Sequence, residues 1–192
     1  MRTDNTIVGH DICVRPAQPA DFEQLHAVDV RVFGRLAYPY FTLRQLFDAF
    51  PECWLVAARP SGLVGYSLGM PSTDRSHAWL FGLAVDPRYR RLGCGRLLTK
   101  ETLNLLGTMR VENVSLTVEP ANEPAIGLYR EFGFSMTEHR QDYFGPGEDR
   151  LVMTRRIQQH TRPSRQPASM IPSPRPDLAH DRGRSRCDVS GE

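Results

Sequence analysis

Two glycines near the middle of the chain, in the segment AVDPRYRRLGCGRLL (84–98), have the spacing of a ligand-binding turn. Gly93 and Gly95 carry no Cβ, so a ligand can approach their backbone closely. Three arginines flank them: Arg90, Arg91 and Arg96. Apolar residues before the turn predict a strand, and those after it predict a helix. Because the first N–H groups of a helix lack internal partners and its dipole is positive there, the amides of residues 91–96 predict an anion site.

Two familiar phosphate-binding loops fit this segment poorly. The mononucleotide loop requires GK[ST], and here Arg96 and Leu97 follow Gly95. The dinucleotide fingerprint requires a third glycine three residues after Gly95, where Leu98 stands. From the turn alone, a helix start with glycines kept for packing remains the alternative.

The rest of the body alternates strand-like and helix-like segments, which predicts one α/β domain with a mixed sheet. The predicted strands are 12–17, 53–58, 63–70, 78–85, 114–118, 134–140 and 150–157. The predicted helices lie within 19–33, 41–50, 94–106 and 122–133. In the first helix Phe22, Leu25, Val28 or Asp29, and Val32 follow the helical period.

Composition limits the classes of function. Apolar residues make up 40% of the chain and charged residues 24%, as in soluble globular proteins. Residues 1–157 hold 18 basic and 18 acidic side chains, so no global basic field favours nucleic acid. Residues 158–192 have five prolines and no aromatic residue, which predicts a disordered tail after a domain at 1–157. The lack of a long apolar run predicts a cytoplasmic protein without a membrane partner.

The cysteines have no paired spacing, which predicts reduced thiols rather than a zinc site or a disulfide framework. They are Cys13, Cys53, Cys94 and Cys187. No metal is expected.

Two motifs together resemble the GNAT N-acetyltransferases. Arg90, Gly93 and Gly95 fill the family's acyl-CoA pyrophosphate loop, [QR]-x-x-G-x-[GA]. The segment NEPAIGLYREFGF (122–134) is similar to its second element, N-x-x-A-x-x-x-Y-x-x-x-G-F. The resemblance covers about residues 12–157, and it implies a mixed, mostly antiparallel sheet in which two parallel strands splay apart at the acyl-CoA site.

The resemblance also implies how acetyl-CoA would be bound. The pantetheine arm would pair with strand backbone, the pyrophosphate would lie on the amides of residues 91–96, and Asn122 would touch the arm. The implied cofactor-binding residues are Leu83, Ala84, Val85, Arg90, Arg91, Leu92, Gly93, Cys94, Gly95, Arg96 and Asn122.

For catalysis, the resemblance implies that Tyr129 is the acid that protonates the departing CoA thiolate. Relatives that acetylate protein N-termini often have a general-base Glu where this chain has Thr117, and a threonine cannot take the proton. Glu119, two residues further along, could act through a water molecule. Deprotonation of the amine by solvent, with no dedicated base, is the alternative.

An acceptor site is expected between the loop that joins the first two helices and the last hairpin. Aromatic residues there suit an apolar or peptide-like amine. The predicted substrate-binding residues are Phe33, Tyr38, Tyr40 and Tyr143. The hairpin sequence DYFGPGEDRLVM also resembles that of the protein N-terminal acetyltransferases of the ribosomal-protein-alanine type.

The leading hypothesis is therefore an acetyl-CoA-dependent N-acetyltransferase that works by direct attack in a ternary complex. Its acceptor is a protein N-terminus or a small-molecule amine, and its oligomeric state is a monomer or a homodimer. The alternative is a non-catalytic acyl-CoA-binding sensor or scaffold, which would not need to position Tyr129.

Overall fold

The computed structural model describes residues 6–8 and 12–157, with side chains from residue 12 onward. The predicted tail, residues 158–192, and Cys187 lie outside the described residues. The boundary of the predicted domain therefore stays a prediction.

Eight strands and four helices alternate along the described chain. The strands are β1 (Thr6–Val8), β2 (Ile12–Pro16), β3 (Trp54–Arg59), β4 (Gly62–Pro71), β5 (His77–Val85), β6 (Asn113–Val118), β7 (Ser135–Arg140) and β8 (Arg150–Arg156). The helices are α1 (Phe22–Phe33), α2 (Tyr40–Ala49), α3 (Cys94–Thr108) and α4 (Glu123–Glu131). All seven predicted strands and all four predicted helices are confirmed; the sequence analysis missed β1.

The strands form one mixed sheet in the order β1-β2-β3-β4-β5-β6-β8-β7. Every neighbouring pair in it is antiparallel except β5 and β6, which are parallel. The predicted fold class is therefore confirmed. The parallel pair requires a crossover connection, and α3 provides it.

Helices cover both faces of the sheet. On one face the apolar stripe of α1 (Phe22, Leu25 and Val28) packs with α2 against Trp54 and Tyr66. On the other face α3 packs over the middle of the sheet, and α4 packs over β6 and β8. The two helical layers therefore cover opposite faces of the sheet.

Glycines let α3 approach the sheet closely. A Cβ on Gly69 would lie 2.8 Å from Cγ2 of Thr102 on α3. The hydroxyls of Ser67 and Thr102 are hydrogen-bonded at 2.6 Å in the same buried layer. The short side chains of β4 thus set the distance between α3 and the sheet.

None of the helices in the described ranges has the length and apolar character needed to cross a membrane. Within the same ranges, no group of three or more His, Cys, Asp or Glu side chains could hold a metal ion.

Replacing Gly65 by alanine is expected to destabilise the fold. The added Cβ would lie 2.6 Å from the carbonyl oxygen of Ala84, so β4 and β5 would have to move apart. We expect Gly65→Ala to lower the free energy of unfolding by about 1–3 kcal/mol in urea denaturation. Gly127→Ala is the matched control, because no atom lies within 4 Å of its new Cβ and it is in a helix. It should raise stability by up to about 1 kcal/mol, and equal losses for both variants would contradict this explanation.

Candidate active site

The site begins where two parallel strands stop pairing. β5 and β6 pair as far as Leu80 opposite Leu116, yet β5 continues to Val85 and β6 to Val118. Phe81, the next residue of β5, has no partner in the register with β4 and forms a β-bulge. Because a bulge bends its strand, the two parallel strands diverge from this point. We call it the apex of the splay, defined by Leu80, Phe81 and Leu116.

Beyond the apex, β5 has one open edge. Backbone groups of successive residues in an antiparallel strand point to alternate sides. The amide of Asp86 donates to the carbonyl of Val64 in β4 at 2.9 Å, so the backbone groups of Ala84 also point toward β4. The N–H and C=O groups of Leu83 and Val85 therefore face the open side. Leu83, Ala84 and Val85 were predicted to pair with an extended ligand, and this alternation favours Leu83 and Val85.

A tight turn connects β5 to α3. The carboxylate of Asp86 accepts the Arg88 amide at 3.0 Å and caps one turn of 3-10 helix, Pro87–Tyr89. Two residues then take left-handed backbone angles, Arg91 with φ +64° and Gly93 with φ +82°. No atom lies within 4 Å of a Cβ built on Gly93, so its backbone angle, not crowding, favours glycine there.

The turn exposes a run of unused amides. None of the six backbone N–H groups from Arg91 to Arg96 donates a hydrogen bond to any residue in the described part of the chain. α3 begins at Cys94 without a side-chain cap on its first turn. These amides, at the positive end of a 15-residue helix, have the composition of a phosphate site.

The three arginines of the turn differ in their surroundings. Arg90 and Arg91 are exposed, and neither has an ion-pair partner among the residues that the structure describes. Arg96 pairs instead with Glu131 at the end of α4, so its charge is partly neutralised. Arg90 and Arg91 thus supply the net positive charge beside the free amides.

The remaining predicted residues of the turn pack inward. Leu92 lies against the core beneath α3. The buried Cys94 thiol approaches the carbonyl of Tyr89 at 3.6 Å, and burial raises its pKa, so it has the character of a core residue. A Cβ on Gly95 would lie 3.4 Å from Cδ2 of Leu128. Gly95 thus keeps the start of α3 close to α4.

Tyr129 is buried on α4. It belongs to the apolar cluster that contains Leu80 and Leu116, and its ring meets that of Phe134 edge-on at 5.8 Å. Burial raises the pKa of the phenol to about 12. The hydroxyl has no hydrogen-bond partner in the described ranges, yet it is not fully buried, because the one fully buried side-chain polar atom without a partner in those ranges is Nε of Arg59. The phenol is therefore protonated at neutral pH, and its hydroxyl has no partner among the described residues.

The other residues predicted near the cofactor arm have local roles. Oδ1 of Asn122 accepts the Ala125 amide at 3.2 Å and caps α4. Thr117 is half-buried on β6. β6 ends at Val118, so Glu119 lies in the following turn and is exposed. Strand alternation therefore does not place Glu119 on the face of Thr117, and its role as a base stays a prediction.

The predicted substrate residues divide into two groups. The hydroxyl of Tyr38 donates to the carbonyl of Phe81 at 3.4 Å, which brings it to the apex from the face of α1 and α2. Phe33 packs at the edge of the same core. Tyr40 is instead bound to Glu23 at 2.7 Å, on the first turn of α1. Tyr143 contacts Phe144 in the hairpin, with their ring centroids 4.9 Å apart and the rings tilted by 52°.

Sequence reasoning missed an ion pair between the two predicted acceptor loops. Arg35, in the α1–α2 loop, pairs with Glu148 of the β7–β8 hairpin. Arg150, which is 6% exposed, also binds Glu148, at 3.0 Å, and lies over the ring of Phe144 at 4.7 Å. Residues 113 positions apart leave no local signal of such a contact.

Comparison with known proteins identifies the family. Residues 20–134 match the acetyltransferase (GNAT) family. An N-alpha-acetyltransferase of Sulfurisphaera tokodaii is 28% identical over 76% of this chain and 93% of its own length. A ribosomal protein bS18-alanine N-acetyltransferase of Salmonella typhimurium is 37% identical, over 40% of this chain and 53% of its own length. An L-amino acid N-acetyltransferase of Escherichia coli is 29% identical over 66% of this chain and 84% of its own length.

A solved structure agrees with this assignment. Ard1 from Thermoplasma volcanium superposes with a TM-score of 0.71 at 26% identity, over 77% of this chain and 99% of that one. The matched family region covers more than half of the chain and includes the turn, α3 and α4. The chain belongs to the GNAT family of acetyltransferases. Its architecture and its relatives are those of an acetyl-CoA-dependent N-acetyltransferase.

The anion site can be tested by separating charge from backbone strain at Gly93. Asparagine tolerates left-handed backbone angles better than most residues and is isosteric with aspartate. Gly93→Asp should therefore weaken CoA binding at least about tenfold more than Gly93→Asn, since only the former places a carboxylate beside the phosphates. Calorimetric titration with CoA measures both dissociation constants. Equal constants for the two variants would show that no phosphate lies on this turn.

Proposed function

We propose that this protein transfers the acetyl group of acetyl-CoA to the α-amine of a polypeptide N-terminus. The observation that carries the proposal is the apex of the splay, which Tyr38 contacts from one face of the sheet and whose Leu80 and Leu116 share an apolar cluster with Tyr129 on the other face. The free amides of residues 91–96 lie at the far end of the open edge of β5. A CoA pyrophosphate bound there would direct the thioester along that edge toward the two phenols.

The choice of a peptide acceptor rests on the α1–α2 loop and the β7–β8 hairpin. The Arg35–Glu148 pair joins the two loops, and Tyr38 connects the α1–α2 loop to β5 at the apex. Exposed aromatic side chains lie on β5 and in the hairpin, with Phe81 50% and Phe144 52% exposed. An extended peptide offers both apolar side chains and backbone groups to such a surface. The relative named N-alpha-acetyltransferase supports the same acceptor class.

The reaction joins a neutral amine to the thioester. The amine nitrogen attacks the acetyl carbonyl, the C–S bond breaks, and one proton leaves the nitrogen while one reaches the sulfur. The products are an amide and the free thiol of CoA. An N-terminal amine has a pKa of about 8, so the neutral form is available near physiological pH. Glu119, through water, or solvent alone would take the proton from the amine.

The pKa of Tyr129 defines its contribution. A phenol with a pKa of about 12 remains protonated when the thiolate forms. An ordinary thiol has a pKa of about 8.5, so full proton transfer from this phenol to sulfur would be uphill by roughly 5 kcal/mol. We therefore assign to Tyr129 a hydrogen bond that stabilises the developing thiolate. The sulfur finally takes its proton from solvent, which receives in turn the proton lost by the amine, directly or through Glu119.

Thiol release from acetyl-CoA tests the acceptor class. Peptides with a free α-amine should raise thiol release, whereas the same peptides with a blocked N-terminus and an internal lysine should not. Mass spectrometry locates the added acetyl group. Turnover with free amino acids alone would favour the small-molecule acceptor, to which the amino acid acetyltransferase relative points. CoA binding without turnover on any amine would leave the non-catalytic sensor.

Tyr129→Phe should lower kcat more than it changes the Kd for CoA. Loss of one hydrogen bond to a developing charge is expected to lower kcat by about 10- to 100-fold. The ring still fills the cluster, so the melting temperature should change little. Because the pKa of Tyr129 is about 12, the wild-type rate should not fall between pH 8 and 10 through ionisation of this group. An unchanged kcat in the variant would remove Tyr129 from the mechanism.

A further inference from the structure

The open stretch of β5 is held at its first residues by a buried carboxyl group on α1. Asp29 is fully buried; one oxygen accepts the Tyr66 hydroxyl, and the other accepts the Tyr38 amide at 2.8 Å. Burial raises the pKa of this carboxyl, and the bond from Tyr66 opposes that rise. A buried carboxyl with two fixed donors holds both tyrosines in one geometry.

Both tyrosines contact β5 at the apex. A Cβ on Gly82 would lie 3.1 Å from Cε2 of Tyr66, so the phenol fills the space directly over this glycine. The hydroxyl of Tyr38 reaches the carbonyl of Phe81 at 3.4 Å. Through these two contacts, Asp29 fixes the bulge from which the open stretch starts.

The other end of the stretch is held by Arg31, two residues further along α1. Its guanidinium binds Asp86, the residue that follows β5 and caps the turn. Asp86 is fully buried, and Arg88 and Arg31 together keep the pKa of its carboxyl well below the ordinary value. Arg31 therefore links α1 to the start of the turn whose amides are free.

The contacts made through Asp29 and through Arg31 lie at the two ends of the part of β5 that is no longer paired with β6. From Ala78 to Leu80 the strand is paired on both sides, with β4 and with β6. From Gly82 to Val85 it is paired with β4 alone. An edge with unpaired peptide groups is the less constrained part of a sheet. A ligand that pairs with this edge requires it to be positioned in advance.

We propose that Asp29 and Arg31 are positioning residues, and that through them α1 clamps the open stretch of β5 at both ends. Asp29 sets the apex, where the thioester would react, and Arg31 sets the turn, where the pyrophosphate would lie. The inference rests on the proposed function for its effect on turnover. Its effects on backbone mobility and on CoA binding require no acceptor.

Arg31 can be tested against a closely matched arginine. Arg31 and Arg44 have equally exposed side chains (43% each), but Arg31 binds a buried carboxylate and Arg44 binds the exposed Asp48 on its own helix. Arg31→Met should raise the Kd for CoA about tenfold, because a charged hydrogen bond to a buried partner is lost. Hydrogen exchange at the Asp86 amide should accelerate by a similar factor. Arg44→Met should change neither quantity, and Arg31→Lys should restore part of both.

Asp29 should show a different signature. Asp29→Asn is expected to lower kcat about tenfold with less than a twofold change in the Kd for CoA, because it disturbs the apex and leaves the turn in place. Asp48→Asn is its surface control. Should Asp29→Asn fold poorly, Tyr66→Phe removes one of the two donors and keeps the ring over Gly82.

The outcomes separate this inference from the proposed function. If Arg31→Met and Arg44→Met give the same CoA affinity and the same exchange rate at Asp86, the clamp is refuted, whatever the wild-type activity. If Asp29→Asn and Arg31→Met lower only the melting temperature, both residues are merely structural and the inference fails. If the exchange and affinity effects appear but no amine is acetylated, the clamp stands and the proposed acceptor chemistry fails.

Discussion

Every part of the site depends on one interruption of β-sheet pairing. Peptide groups in a folded protein need partners, and a strand inside a sheet normally finds them on both sides. After Leu80 and Leu116 the parallel pair separates, and the groups of Leu83 and Val85 are left without strand partners among the described residues. The bulge at Phe81 directs the strand away from β6 and locates the opening. An extended ligand with amides of its own is the natural partner for such an edge.

The surrounding elements then provide the chemistry that the opening requires. The turn after β5 ends in six unused amides, which suit a diphosphate, and Arg90 and Arg91 add charge without a described partner. α4 brings a phenol to the opposite end of the open edge. The apex and the turn are the two ends of one stretch of β5, so the distance between them is determined by backbone geometry.

Local sequence patterns were sufficient to predict the elements, and they also selected candidate residues for the cofactor side of the site. Alternating and helical periods predicted seven of the eight described strands and all four helices, and they missed only the three residues of β1. Gly93 was identified from its spacing, and the structure adds the physical reason, a left-handed backbone angle. Tyr129 was identified by the motif around it, since a lone tyrosine on an amphipathic helix has no distinctive pattern.

Contacts between distant residues could not be predicted in this way. A helical period does not show whether Val28 or Asp29 faces the core. The fold shows that both are buried: Val28 packs in the apolar core, and the carboxylate of Asp29 accepts a hydrogen bond from the Tyr66 hydroxyl. Arg31 and Asp86 are 55 residues apart, so their pairing depends on the tertiary arrangement. Strand alternation also failed at Glu119, because β6 ends one residue earlier.

The glycines beneath α3 have a consequence for how mutations act. The first turn of α3 contributes amides to the candidate phosphate site, whereas its later turns pack on β4 at Gly69 and Ser67. Because α3 is rigid, a displacement of Thr102 away from β4 also moves the first turn of the helix. Core substitutions two helical turns from the ligand would therefore alter cofactor affinity without touching the cofactor. In this protein, the packing of the interior and the position of the candidate phosphate site depend on the same helix.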